Sequence, residues 1–89
     1  MEISVDTELQ QICENIQSQS FTEDEWSARE SDDEFQTKNY CGGYDADEKA
    51  FCFSYFSPQK KEYWFQFSLK EATEIFNGDI RSIPAREAG

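Results

Sequence analysis

The sequence predicts an α+β domain made of an N-terminal helix, a short acidic helix, a three-stranded antiparallel meander and a C-terminal helix packed on one sheet face. Apolar residues recur at helical spacing near the N-terminus, and aromatic residues alternate with other residues over the middle of the chain. A second helical stripe follows the meander. Because 89 residues support one core, we expect a single domain, 1–89, with an acidic helical segment at 1–34, an aromatic meander at 35–67, and a helix and tail at 68–89.

The N-terminal helix is predicted over residues 7–18. Its apolar stripe follows the spacing of one helical face and consists of Val5, Leu9, Ile12, Cys13 and Ile16. Asp6 or Thr7 can cap its start, and a polar loop at residues 18–20 ends it.

The short acidic helix is predicted over residues 23–30. Thr22 and Glu25 have the spacing of a capping box, and Phe21 and Trp26 have the spacing of a hydrophobic staple. Acidic residues in the first turn also stabilise the helix, because their negative charge lies at the positive end of the helix dipole. The acidic run is therefore expected to be an ordered helix.

Three strands are predicted at residues 35–44, 49–56 and 62–67, joined by turns at 45–48 and 57–60. The odd positions of the second and third strands are aromatic, so one sheet face is apolar and the two longer helices can cover it. The other face is a candidate partner surface, unless loop 19–34 folds over it. It is expected to present Cys52, Ser54, Phe56, Trp64 and Gln66, with Tyr40 nearby.

The last helix is predicted over residues 69–77. Ser68 and Glu71 form a second capping box, and Asn77-Gly78 is a favourable C-terminal stop. The apolar stripe between them consists of Leu69, Ala72, Ile75 and Phe76. Residues 85–89 are expected to be frayed.

The net charge of −11 is concentrated at one end of the chain. Residues 1–34 contain eleven acids and one base, which gives −10, and the remaining residues sum to −1. Such a field attracts a basic protein surface and repels nucleic acid and anionic membranes. The candidate partner-binding residues are Glu23, Asp24, Glu25, Trp26, Glu30, Asp32, Asp33 and Glu34. Alternatively, the block is a solvated loop that serves solubility, and Trp26 covers the core through its staple to Phe21.

Catalytic chemistry is not indicated. The chain has no histidine and no phosphate-binding, nucleophile-elbow or zinc motif, so we expect no enzyme activity, no cofactor and no metal site. Residues 45–48 resemble the start of a calcium loop, but the later ligands are missing, and a hairpin turn explains them. Gly42 and Gly43 indicate a β-bulge or a close backbone approach rather than a phosphate cradle.

Three cysteines without a CxxC pair do not suggest a disulfide framework, and neither a signal peptide nor a membrane span is indicated. We therefore expect a cytoplasmic protein.

The leading hypothesis is an acidic inhibitor that occludes a basic nucleic-acid-binding surface, in the manner of anti-CRISPR, immunity or antitoxin proteins, with DNA mimicry as its narrower form. The alternative is a small adaptor or regulatory protein that binds through the aromatic sheet face.

Overall fold

The computed structural model of the chain describes residues 1–29 and 33–88, and in these residues it forms three helices and seven strands. The helices are α1 (Thr7–Ser18), α2 (Glu23–Ala28) and α3 (Leu69–Asn77). The strands are β1 (Glu2–Ser4), β2 (Phe35–Gln36), β3 (Tyr40–Asp45), β4 (Ala50–Phe56), β5 (Glu62–Phe67), β6 (Ser82–Pro84) and β7 (Arg86–Glu87). The predicted α+β class is confirmed.

The helices begin at the predicted caps. The Asp6 carboxylate accepts a hydrogen bond from the Leu9 amide at 2.8 Å at the start of α1, and Ser68 forms a complete capping box at the start of α3. Both α1 and α3 have their predicted bounds. The acidic helix α2 is shorter than predicted because Arg29 has extended backbone angles, and Glu30 lies outside the described residues.

The predicted meander forms only a portion of a larger sheet. One sheet has the order β2-β3-β4-β5-β7, β1 and β6 form a second, and all pairs are antiparallel. The predicted strand 35–44 is two strands, because the chain turns back at residues 37–39. The prediction of a frayed tail was wrong for residues 86–87, since β7 pairs with β5, and Gly89 lies outside the described residues.

The aromatic face of the sheet is buried. Cross-strand pairing places Phe51 opposite Phe67 and Phe53 opposite Phe65, with ring centroids 5.5 and 5.9 Å apart. One buried cluster joins these rings to apolar side chains of α1 and α3 and to Trp26 of α2. All three helices therefore contribute to one core with this face of the sheet.

Gly42 is a close-approach position in β3. The ladder between β3 and β4 runs without a bulge, and Gly42 lies opposite Phe53. A Cβ atom at Gly42 would lie 2.2 Å from the carbonyl oxygen of Cys52 and 2.7 Å from Cγ of Phe53. The close-approach alternative is therefore correct here, and the bulge is not formed.

The turn at residues 45–48 is organised by its own aspartate. Asp45 Oδ1 accepts hydrogen bonds from the backbone amides of Asp47 at 2.9 Å and Glu48 at 3.3 Å. This confirms the predicted hairpin turn between β3 and β4.

Within residues 1–29 and 33–88, none of the helices combines the length and the apolarity needed to cross a membrane.

Candidate functional site

The acidic edge, defined as the carboxylates of α2 and of residues 33–34, is exposed at the surface. Glu23, Asp24 and Glu25 occupy the first turn of α2. Glu25 also has a structural role, because its carboxylate accepts a hydrogen bond from the Thr22 amide at 3.1 Å. Glu23 and Asp24 are therefore the α2 carboxylates available to a partner without breaking the helix cap.

The prediction that Trp26 anchors an interface was wrong. Its side chain has 0 % exposure and its ring packs against Phe21 and Phe51, with centroids 5.4 and 5.0 Å away. The alternative, that Trp26 covers the core through its staple, is correct. Its Nε1 donor is buried and makes no hydrogen bond within the described residues of the chain. The indole therefore offers no surface to a partner and fixes α2 on the sheet instead.

Arg29, the single base of the first 34 residues, contacts other side chains of this protein. Its guanidinium lies over the rings of Phe21 and Trp26, with centroids 4.8 and 4.9 Å away. It donates to Gln19 Oε1 and forms an ion pair with Glu34, each at 3.3 Å. The charge of Arg29 therefore offsets Glu34, and among residues 1–29 and 33–88 neither Glu23 nor Asp24 forms an ion pair.

The remaining acidic candidates lie where the chain returns to the sheet. Asp33 is exposed, and its Oδ1 accepts a hydrogen bond from the Cys41 thiol at 3.3 Å. Burial, and then this bond and the charge of Asp33, raise the pKa of Cys41. Glu30 and Asp32 lie outside the described residues.

The open face, defined as the sheet face opposite the buried rings, carries exposed aromatic side chains. Phe56 is 42 % exposed and Trp64 is 43 % exposed. These exposures show that the described residues of loop 19–34 do not cover the two rings, and Trp26 of α2 packs on the buried rings of the other face. Tyr40, which was expected near this face, is instead buried on the opposite one, with its ring 5.0 Å from Tyr55. Its hydroxyl donates to Asp6 at 3.1 Å.

Trp64 is held on the open face by two charged neighbours. Its Nε1 donates to Glu62 Oε2 at 2.9 Å, and Ser54 donates to the same oxygen at 2.8 Å. The guanidinium of Arg86 lies over the indole, 5.3 Å from the ring centroid. The hydrogen bond from Trp64, followed by that from Ser54, holds the pKa of Glu62 below its ordinary value.

Glu62 and Arg86 were missed in the sequence. Glu62 had a detectable signal, because it lies two residues before Trp64 and side chains two apart in a strand share a face. Arg86 had none, since its position depends on β7 pairing with β5, and Arg86 lies opposite Trp64 across that pair.

The acidic edge and the open face are continuous. An open groove of about 1360 Å³ has Asp33, Cys41, Cys52, Trp64 and Arg86 among its lining residues. Asp33 belongs to the acidic edge, and its hydrogen bond to Cys41 connects that edge to the sheet. The two surfaces therefore offer one extended contact area of acidic and aromatic side chains.

The cysteine thiols are not activated as nucleophiles. Burial raises the pKa of Cys13 to about 12. Burial, followed by the charges of Asp45 and Glu48, raises the pKa of Cys52. A raised pKa keeps a thiol protonated at neutral pH, and the thiolate is the reactive form.

In the described residues, the fold defines the class of this protein as a small α+β domain with three helices, a five-stranded antiparallel sheet and a two-stranded sheet. Comparisons with protein-family models, with curated proteins and with solved structures find no match.

Proposed function

We propose that the protein is an acidic inhibitor that docks on a basic nucleic-acid-binding surface of a partner protein and occludes it. The observation that carries this proposal is the charge of −10 in the first 34 residues, together with the exposure of Glu23 and Asp24 on a capped helix. Their charge is not offset by Arg29, which pairs with Glu34. The protein acts by binding, without catalysis or a cofactor, and the cytoplasm is its proposed location.

Preorganisation of the acidic edge supports the proposal. The capping box of Thr22 and Glu25 and the burial of Trp26 fix α2 before any partner arrives. A helix backbone that is already ordered loses little conformational freedom on binding, and a strong field accelerates the encounter with a basic surface. Proteins of the anti-CRISPR, immunity or antitoxin type act in this physical manner, and the likeness is one of charge and size.

A narrower form of the proposal is nucleic-acid mimicry, in which the carboxylates take the places of phosphates. Mimicry requires that DNA or RNA compete with this protein for the same basic surface. It also requires that affinity fall steeply with salt, because the contacts are between exposed charges.

A second candidate function is a small adaptor or regulatory protein that binds through the open face. The observation that favours it is the exposure of Phe56 and Trp64 on one face of the sheet. Exposed aromatic residues are enriched among the anchors of protein interfaces. In this version the acidic edge serves solubility.

The two candidates can be separated with matched variants. Partners captured at low salt are purified, and their association with the protein is measured by surface plasmon resonance over a salt series. Neutralising the acidic edge with Glu23→Gln and Asp24→Asn should slow association and flatten the salt dependence. The control, Asp47→Asn with Asp79→Asn, changes the net charge equally at exposed positions outside the acidic edge.

The inhibitor proposal fails if the acidic-edge variant and its control associate equally fast with every captured partner. In the adaptor version, Trp64→Ala lowers affinity while the acidic-edge variant does not. For mimicry, the decisive measurement is competition, and a partner that binds DNA and this protein simultaneously rules it out.

A further inference from the structure

The indole of Trp64 already holds a guanidinium group in the free protein. Arg86 lies opposite Trp64 across the β5–β7 pair, and its Cζ is 5.3 Å from the centroid of the indole. A cation at this distance is attracted by the negative face of the ring. The chain itself therefore shows which kind of group this region of the open face accepts.

A carboxylate lies beside the indole. Both hydrogen bonds to Glu62, from Trp64 and from Ser54, end on Oε2, and they favour the ionised form of the group. Within the described residues, Oε1 of Glu62 has no hydrogen-bond partner. A planar guanidinium can stack on an aromatic ring while donating to an adjacent carboxylate oxygen, which an ammonium group does less well. Trp64 and Glu62 together match the chemistry of arginine rather than lysine.

Arg86 is held only weakly in this position. The strand β7 has two residues, its side chains are exposed, and the nearby ion pair between Lys61 and Glu87 joins side chains that are each 58 % exposed. In the described residues, no carboxylate lies within ion-pair distance of Arg86. Exposed side-chain contacts of this kind contribute little. Displacing β7 also breaks the hydrogen bond from the Ala88 amide to the Glu62 carbonyl, and a longer incoming strand can replace it on the same edge.

The edge of β5 offers more pairing than β7 uses. Across the described residues, β7 pairs with Tyr63 and Trp64, and the Ala88 amide donates to the carbonyl of Glu62 at 2.9 Å. From Phe65 to Phe67, β5 has a paired strand on its β4 side alone. An incoming strand can therefore form additional main-chain hydrogen bonds along this edge.

Charge selects the kind of occupant. The carboxylates of Asp33, Asp45 and Glu48 lie along the groove that contains Trp64 and Arg86. A second copy of this chain carries the same net charge of −11, so long-range repulsion opposes its approach. A basic segment of another protein is complementary to it.

We propose that Trp64 and Glu62 form an arginine-binding site for an extended segment of a basic partner protein, and that Arg86 occupies the indole part of this site in the free protein. The segment adds to the edge of β5 in place of β7, and its arginine replaces Arg86 on the indole. In naming a basic partner, this inference rests on the proposed function.

The site is tested with a short β-prone peptide that carries one central arginine, and with the same peptide carrying neutral citrulline instead. Each is titrated at low salt into the full chain and followed by ¹H–¹⁵N NMR. The arginine peptide should shift the Trp64 indole N–H and the amides of β5, and the citrulline peptide should not. Freeing the site with Arg86→Ala should tighten binding by about two- to five-fold, the contribution of an exposed cation–π contact.

Two further variants and a control complete the experiment. Trp64→Ala should abolish the shifts in β5, and Glu62→Gln, which keeps an acceptor for the indole, should weaken binding without disturbing the free protein. The control is Phe76→Ala, since Phe76 is 42 % exposed but lies on α3. Circular dichroism establishes that each variant is folded, and Arg86→Ala tests the site even if Trp64→Ala does not fold.

The inference is overturned if the citrulline peptide binds as well as the arginine peptide, or if Arg86→Ala weakens binding. It is also overturned if the Arg86→Ala variant sediments as a dimer, because the site on Trp64 and Glu62 would then bind a second copy of this chain. A failure here leaves the proposed function standing if Glu23→Gln with Asp24→Asn still slows association with a basic partner. Conversely, arginine-peptide binding can succeed while that association test fails.

Discussion

The carboxylate of Glu8 in α1 accepts two hydrogen bonds from Asn39, one from its backbone amide and one from its side-chain amide, each at 2.9 Å. The hydroxyl of Thr37 donates to the same carboxylate. Burial raises the pKa of Glu8, but the hydrogen bonds from Thr37 and Asn39, with the charge of Lys38, outweigh it and hold the pKa below its ordinary value. These bonds connect α1 to the turn between β2 and β3.

Replacing Glu8 with glutamine should therefore destabilise the protein in a pH-dependent way. Near neutral pH, Glu8→Gln should lower the free energy of unfolding by about 1 kcal/mol, because hydrogen bonds to a charged acceptor are the stronger ones and this site is partly exposed. The stability that ionised Glu8 contributes is complete above its ordinary pKa of 4.5 and is lost as pH falls through the lowered value in the folded state. The difference from wild type in urea denaturation should shrink in acid.

The control for this prediction is Glu14→Gln, an exposed carboxylate on the same helix. It changes the net charge equally and should leave the free energy of unfolding almost unchanged. A difference for Glu8→Gln that is constant across the pH range would show that ionisation of Glu8 is unimportant.

The second prediction concerns the size and the polarity of Trp26. Trp26→Ala should lower the free energy of unfolding by about 3–5 kcal/mol, because it empties a large, fully buried site. Trp26→Phe should have a much smaller effect, since it loses some buried area but also removes the unpartnered Nε1 donor. Chemical denaturation measures both variants. Trp64→Phe provides the contrast, because it removes an Nε1 donor that has a partner in Glu62. Equal losses for the phenylalanine and alanine variants would contradict this reasoning.

The third prediction compares two glycines that are required for different reasons. Gly42→Ala should lower the free energy of unfolding by roughly 3 kcal/mol or more, because the added Cβ would lie 2.2 Å from the carbonyl oxygen of Cys52. Gly78→Ala should lower it by only about 1 kcal/mol, since the space is open and the φ of 84° alone is unfavourable. Thermal unfolding ranks the two variants, and a milder effect at Gly42 would refute the close approach.

What could be predicted from the sequence was local. Capping boxes and apolar stripes act within a few residues, so the bounds of α1 and α3 were predicted correctly. The two-residue alternation of the strands also correctly placed Trp64 on the face opposite the buried rings. The short strands β1 and β7 depend instead on distant partners, Glu2 with Pro84 and Trp64 with Arg86, and two or three residues carry no periodic signal. The arginine on Trp64 could not be predicted for that reason.

Trp26 illustrates a different limit. A tryptophan among carboxylates fits both an exposed anchor and a buried staple, and the neighbouring residues are the same in either case. Tertiary contacts decide the outcome, because Phe35, Tyr44 and Phe51 supply a pocket of rings for the indole. The acidic edge is therefore formed by carboxylates alone.

The last prediction tests whether the acidic edge reaches the open face through Asp33 and Cys41. At about pH 8, iodoacetamide should label Cys41 and Cys52, which are half-buried, while buried Cys13 reacts only on unfolding. Besides burial, the hydrogen bond and charge of Asp33 raise the pKa of Cys41, so Asp33→Asn should lower that pKa and increase the thiolate fraction. Labelling of Cys41 should then become faster, as followed by peptide mass spectrometry.

Cys52 is the internal control, because its pKa responds to Asp45 and Glu48 instead. An unchanged rate at Cys41 would mean that Asp33 does not lie against the sheet in solution, and the acidic edge and the open face would then be separate surfaces.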